Sequence, residues 1–179
     1  MRSISSLILH PSSFLVWLIF LTTCTSPAPP PNKLGVHLLL DDGRHQWESA
    51  VWHNHLQHAS SAIGTGGYVV ELIRSDDLNV EKWQQFLDLC AEFNLIPVIR
   101  LATTFDLENN FWVAPPQDTD RSYQTIASQY TTFLADLNWS TDPMIIIGNE
   151  PNHGNEWSGT PEPANYARFL IDTASAIKN

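Results

Sequence analysis

The sequence predicts an α/β fold of the (β/α)8 TIM-barrel type, of which this chain supplies the first four βα units. Three observations lead there. From residue 34 onward, apolar strand-like runs alternate with helical stretches four times over. The runs are near-continuously apolar, as strands covered on both faces are, and helices between them imply right-handed crossovers and a parallel sheet. The first run ends in Asp41-Asp42-Gly43-Arg44, without the glycine-rich phosphate turn that a doubly wound open sheet usually carries at that place. Four units in about 145 residues extrapolate to eight in about 290, close to a barrel of typically about 250 residues plus insertions.

The elements follow in order. Leu34 to Leu40 reads as the first strand, and residues from Gln46 to Ala62 as a weakly patterned helix. Gly66-Gly67 introduces a second strand, Tyr68 to Ile73, closed by Arg74. Asn79 is placed to cap a helix that carries Val80, Trp83, Phe86, Leu87 and Cys90 along one stripe. Ile96 to Leu101 is the third strand, with Pro97 tolerable only near its start. The connection from Thr103 to Asp120 exceeds the usual few residues of a βα loop, which marks it as a candidate functional loop. Tyr123, Ile126, Ala127, Tyr130, Phe133, Leu134 and Leu137 share one helical face. Met144 to Gly148 is the fourth strand. Thr160 and Pro161 open a fourth helix, as cap and first turn, with Tyr166, Phe169, Leu170, Thr173, Ala174 and Ile177 facing inward.

Residues 1–24 do not look like part of a core. The apolar run Phe14 to Leu21 is far shorter than the ~20 residues a membrane span needs and fits a secretory signal. Leu21-Thr22-Thr23-Cys24 resembles a bacterial lipobox with Thr23 in the position usually held by Gly, Ala or Ser. Membrane attachment through a lipidated Cys24 and ordinary signal cleavage both stand open, and either makes the protein secreted or part of the cell envelope. Residues 25–33 are a proline-rich spacer, and 34–179 form the half-barrel.

Nine Lys+Arg against nineteen Asp+Glu give a net charge of −10, which repels phosphate backbones and argues against a nucleic-acid partner. Beyond Cys24 the sole cysteine is Cys90, at apolar helical spacing, so it is a core residue and not a redox centre. His53, His55 and His58 do not make a metal site: residues two apart on a helix diverge, and no acidic or cysteine cluster accompanies them. No cofactor is implied. Asn138-Trp139-Ser140 is a glycosylation sequon that a bacterial exported protein would not use.

The most informative residues are Gly148-Asn149-Glu150-Pro151-Asn152, directly after the apolar run Met144 to Ile147. A buried strand ending in Asn-Glu sets an amide and a carboxylate at the C-terminal rim of a parallel sheet, where chemistry is built in such folds. Alternation predicts that Ile146, Gly148 and Glu150 look into one interior.

In these residues, and in their position closing the fourth strand, the chain resembles the clan A retaining glycoside hydrolases, over residues 34–179. The resemblance implies that Glu150 is the general acid/base, protonating a glycosidic oxygen as its bond breaks. It implies that Asn149 binds the sugar 2-hydroxyl, and that the substrate is a carbohydrate. Retaining hydrolysis needs a second carboxylate about 5–5.5 Å away. In the clan that nucleophile closes the seventh strand, so the resemblance implies pairing with a missing C-terminal half and inactivity of this chain alone. A non-catalytic glycan-binding or cell-envelope barrel, and a lyase or esterase barrel, are the competing readings.

Around that motif stand further candidates for substrate binding. His37 and Asp41 share a face of the first strand, with Asp41 at the rim; Arg74 and Arg100 end the second and third strands. Glu71, in mid-strand, is expected to pair with Arg74 or Arg100. Trp112 in the long loop and Trp157 past the motif are expected as exposed indoles on which the apolar faces of sugars stack. His153 lies close enough in sequence to influence the proton affinity of Glu150.

Overall fold

The structure is a computed structural model that describes residues 31–178. The expected signal segment and Cys24 lie outside the described residues. A four-stranded sheet runs in the order β1 (Gly35–His37), β2 (Tyr68–Arg74), β3 (Ile96–Ala102) and β6 (Met144–Ile147), each strand beside its predecessor. All three pairings are parallel. The connecting helices are α1 (Ser49–Ile63), α2 (Val80–Glu92) and α3 (Gln124–Ala135), and α4 (Pro163–Lys178) follows β6. The long third connection holds a small antiparallel hairpin, β4 (Phe105–Asp106) with β5 (Phe111–Trp112). Among the described residues no helix is long and apolar enough to cross a membrane.

The core lies between the sheet and its helices. Val69 and Ile73 of β2 and Ile99 and Leu101 of β3 project into it, against Trp52 and Leu56 of α1, Trp83, Phe86 and Cys90 of α2, and Tyr130 and Phe133 of α3. Trp52 and Trp83 meet at 5.6 Å between ring centroids, locking α1 onto α2. Fully burying side chains of this kind contributes about 1.5–3 kcal/mol each. The opposite sheet face follows from the alternation of strand residues: Val70, Leu72 and Arg74 on β2, Val98, Arg100 and Ala102 on β3, Met144 and Ile146 on β6. Only part of it is covered, where Leu72 and Ala102 pack under Trp112 and Phe105 of the hairpin.

Asn79 caps α2 as its residue type dictates, its side chain accepting from the Lys82 backbone N–H at 2.9 Å. Other boundaries are corrected. The first strand ends at His37 and not at Leu40. The reason lies in Glu71, whose carboxylate takes the Leu40 N–H that a longer strand would give to the sheet. Helix α4 begins at Pro163 and not at Thr160-Pro161, because the Thr160 N–H is held by the Trp157 carbonyl at 3.0 Å in the preceding loop. Leu170, expected on the inner face of α4, is 37 % exposed, while the polar Asp172 is buried in its stead. Asp172 accepts from the Tyr123 N–H at 2.9 Å and ties α4 to the start of α3.

Candidate functional site

The register of the strands decides which side chains share the C-terminal rim. Arg74 lies level with Ala102, Arg100 with Ile146 and Leu101 with Ile147. The Gly148 N–H continues the ladder to the Leu101 carbonyl at 3.0 Å. There the chain turns. Gly148 has φ +71°, and a Cβ at this position would meet the Tyr166 ring at 3.1 Å, so glycine is the residue that turns here without strain. The Tyr166 hydroxyl donates to the Ile147 carbonyl at 3.0 Å, fixing the end of the strand from α4.

Glu150 has φ +25°, an outlier for a non-glycine residue and more so ahead of a proline. Strain of this kind costs about 1–3 kcal/mol. It also corrects the expected alignment: extended geometry stops at Ile147, so alternation does not carry Glu150 onto the face of Ile146. Glu150 is exposed at the rim, and its carbonyl accepts the His153 N–H at 2.7 Å in the turn that follows.

Arg100, Trp112, Asn149 and Trp157 come together around one small cavity of about 20 Å3, with Glu156 and Tyr166 completing its wall. A space of this size holds a water molecule and not a sugar ring. Arg100 has only 14 % of its side chain exposed and lies 3.8 Å from the Glu156 carboxylate. Burial draws its guanidinium below the ordinary arginine value, while Glu156 and, more weakly, Glu150 pull the other way. Its guanidinium carbon also sits 5.7 Å from the centre of the Trp112 ring. Its Nε is buried without a protein partner among the described residues. Glu150 does not line this cavity but lies within electrostatic reach of the same guanidinium.

The two tryptophans require a correction. Trp112 and Trp157 are each 5 % exposed, so neither offers a free indole face. Trp112 packs edge-on to Phe105 at 5.0 Å, and Trp157 is wedged between Tyr166 and Phe169. They are anchors of their loops: hydrophobic burial wins over display wherever a loop must be fastened to a core.

Asp41 and Arg74 form a separate cluster. Arg74 donates to Asp41 at 2.7 Å and to Asp76 at 2.9 Å; Lys82 donates to Asp41 at 2.5 Å and also to Asp77. Burial by itself would raise the Asp41 carboxyl, but Lys82 and Arg74 outweigh it and hold it below the ordinary carboxylate range. Both residues are thus engaged in tying the first rim loop to the start of α2. Glu71 is paired with neither arginine, a second correction to its expected role. It is fully buried on the helix side of β2 and accepts from the Leu40 N–H at 3.2 and 3.3 Å and the Leu72 N–H at 3.1 Å. His37 lies exposed on β1 and His153 exposed after the motif.

Sequence reasoning missed Glu156, which supplies the carboxylate facing Arg100, and Arg44, which is bound by Asp42 at 2.6 Å and stacked 4.9 Å from the Phe105 ring. For Arg44 a signal existed in the Asp-Asp-Gly-Arg turn, whose acidic pair must find cations; for Glu156, six residues past Glu150, none did.

No family model matches this chain, and no curated relative does. Among solved structures, the GH39 enzyme from Xanthomonas axonopodis pv. citri is similar in fold, with a TM-score of 0.53 at 14% sequence identity. The likeness covers 81% of this chain and 32% of that one, so the chain spans about a third of the length of the protein it matches.

Proposed function

We propose that this chain contributes the acid/base half of a retaining glycoside hydrolase, its four βα units corresponding to the first four of a (β/α)8 barrel. One observation carries the reading: Asn149 and Glu150 follow the fourth strand of a parallel sheet, at its C-terminal rim. The fold likeness to a GH39 enzyme, GH denoting glycoside hydrolases, supports it. Glu150 stands at the open rim as general acid/base, Asn149 beside it as the partner of the sugar 2-hydroxyl, and Arg100 within electrostatic reach of the Glu150 carboxylate.

The second carboxylate has to come from further βα units. Among the described residues Asp41, Asp42 and Glu156 are each held by a cation, Asp41 by Arg74 and Lys82, Asp42 by Arg44, and Glu156 opposite Arg100. The substrate is a carbohydrate met at the cell envelope or outside the cell, in keeping with the signal-like first 24 residues.

The test separates acid catalysis from binding. In the barrel completed by its further βα units, Glu150→Gln lowers hydrolysis of an alkyl glycoside by about 10²–10⁴-fold. The loss is much smaller on a dinitrophenyl glycoside, whose leaving group needs no proton. Equal losses on both substrates would remove Glu150 from the acid/base role. The 179-residue chain by itself shows no turnover; turnover that disappears in Glu150→Gln would refute the need for a second half.

A further inference from the structure

A second cleft, of about 340 Å3, opens beside the small cavity and shares its Trp157 and Pro115 wall. It lies where the loops leading into α3 and α4 meet, and its size is at the lower end of the 300–1,000 Å3 typical of small-molecule sites. Gln117, Asn165, Glu162, Ser158 and Thr160 supply its polar lining. These side chains are already ordered by one another. Asn165 donates its amide to Glu162, and Gln117 donates to the Asn165 oxygen at 3.3 Å. The Ser158 hydroxyl oxygen accepts the Ala114 N–H at 2.7 Å, which leaves its proton to be given elsewhere.

The chemistry of the lining narrows the ligand. No lysine, arginine or histidine lines the cleft, and Glu162 adds a negative charge, so phosphates, sulfates and carboxylates are disfavoured. Trp157 at 5 % and Tyr123 at 1 % exposure give the cleft little surface, so its polar side chains decide what it takes. Planar amide and carboxylate groups, each able to engage two neighbouring hydroxyls, suit a neutral polyhydroxylated ring.

We propose that this cleft is a second saccharide site, holding one neutral sugar unit by hydroxyl bonds to Gln117, Asn165 and Glu162, next to the small cavity that Asn149 lines. It goes beyond the acid/base reading and does not depend on Glu150.

The experiment titrates the full chain with xylotetraose, cellotetraose and mannotetraose by calorimetry, alongside the neutral peptide tetraalanine. Variants are Gln117→Leu, Asn165→Leu and Glu150→Gln, with far-UV circular dichroism to verify folding, and Asn165→Gln as a replacement that keeps the amide donor and acceptor. The expected result is saturable binding of one tetrasaccharide to this cleft, weakened at least tenfold by Gln117→Leu and Asn165→Leu, and less by Asn165→Gln. Absence of saturation by any tetrasaccharide at about 10 mM, ten times a ~1 mM Kd, overturns the proposal. So does tetraalanine binding that is equally sensitive to the two leucine variants. Sugar binding lost in Glu150→Gln but kept in Asn165→Leu also overturns it, while leaving the glycosidase reading intact.

Discussion

Glu71 has no exposed surface, and burial pushes its carboxyl from 4.5 up to about 8, with Asp41 adding to the rise and the backbone N–H groups of Leu40, Leu72 and Asp41 opposing it. The unfolded chain releases this proton near 4.5, whereas the folded chain keeps it to about 8. Between those values the native state binds more protons than the unfolded state, so stability falls as pH rises. The stabilising contribution is complete below 4.5 and gone above about 8. Urea unfolding followed from pH 5 to pH 8.5 is expected to show a loss of a few kcal/mol across that window. Glu71→Gln, which cannot titrate, is expected to flatten the slope; an unchanged slope would mean that another group controls it. Sequence reasoning placed Glu71 correctly in mid-strand but gave it an arginine. Which face a strand residue takes is periodic, whereas which loop amide crosses above it depends on where the preceding strand leaves the sheet.

At the scale of elements, α2 is the helix most nearly specified by its own residues. Its cap, apolar stripe and buried face agree, with Trp83, Phe86, Leu87 and Cys90 all covered. Asn79→Ala is therefore expected to destabilise the fold by about 1 kcal/mol, read as a lowered urea midpoint at constant m-value. A change in m-value instead would indicate that α2 detaches on its own. The start of α4 was less legible, because Pro161 and Pro163 both suit a first helical turn. The choice between them fell to the loop: a Cβ on Gly154 would stand 2.5 Å from the Gly159 carbonyl oxygen, so this turn closes tightly and delays the helix. Likewise the long third connection was recognised as unusual, but its hairpin was not foreseen, since two-residue strands carry no readable alternation.

For the whole molecule, the decisive feature is the sheet face turned away from the helices. Met144 and Ile146 on this face of β6 are 42 % and 40 % exposed, and Leu39 just past β1 is 47 % exposed. Among the described residues β1 and β6 each pair along one edge only. Exposed apolar strands with free edges are templates for association. The chain is expected to self-associate in sedimentation velocity at micromolar concentration, and the double variant Met144→Ser, Ile146→Ser to shift it toward monomer. A sedimentation profile identical in the two proteins would show that this face is not the contact.

The sequence by itself determined the succession of strands and helices, the parallel sheet and the position of Asn149 and Glu150 after its fourth strand, because apolar periodicity, caps and turn residues are local properties. Only the tertiary structure decided that Asp41 and Arg74 hold each other, that Trp112 and Trp157 are buried, and that Arg100 faces Glu156. The two charge pairs lie 33 and 56 residues apart in the chain, and which groups meet, and which rings are covered, is chosen by packing and desolvation, which no short-range pattern encodes.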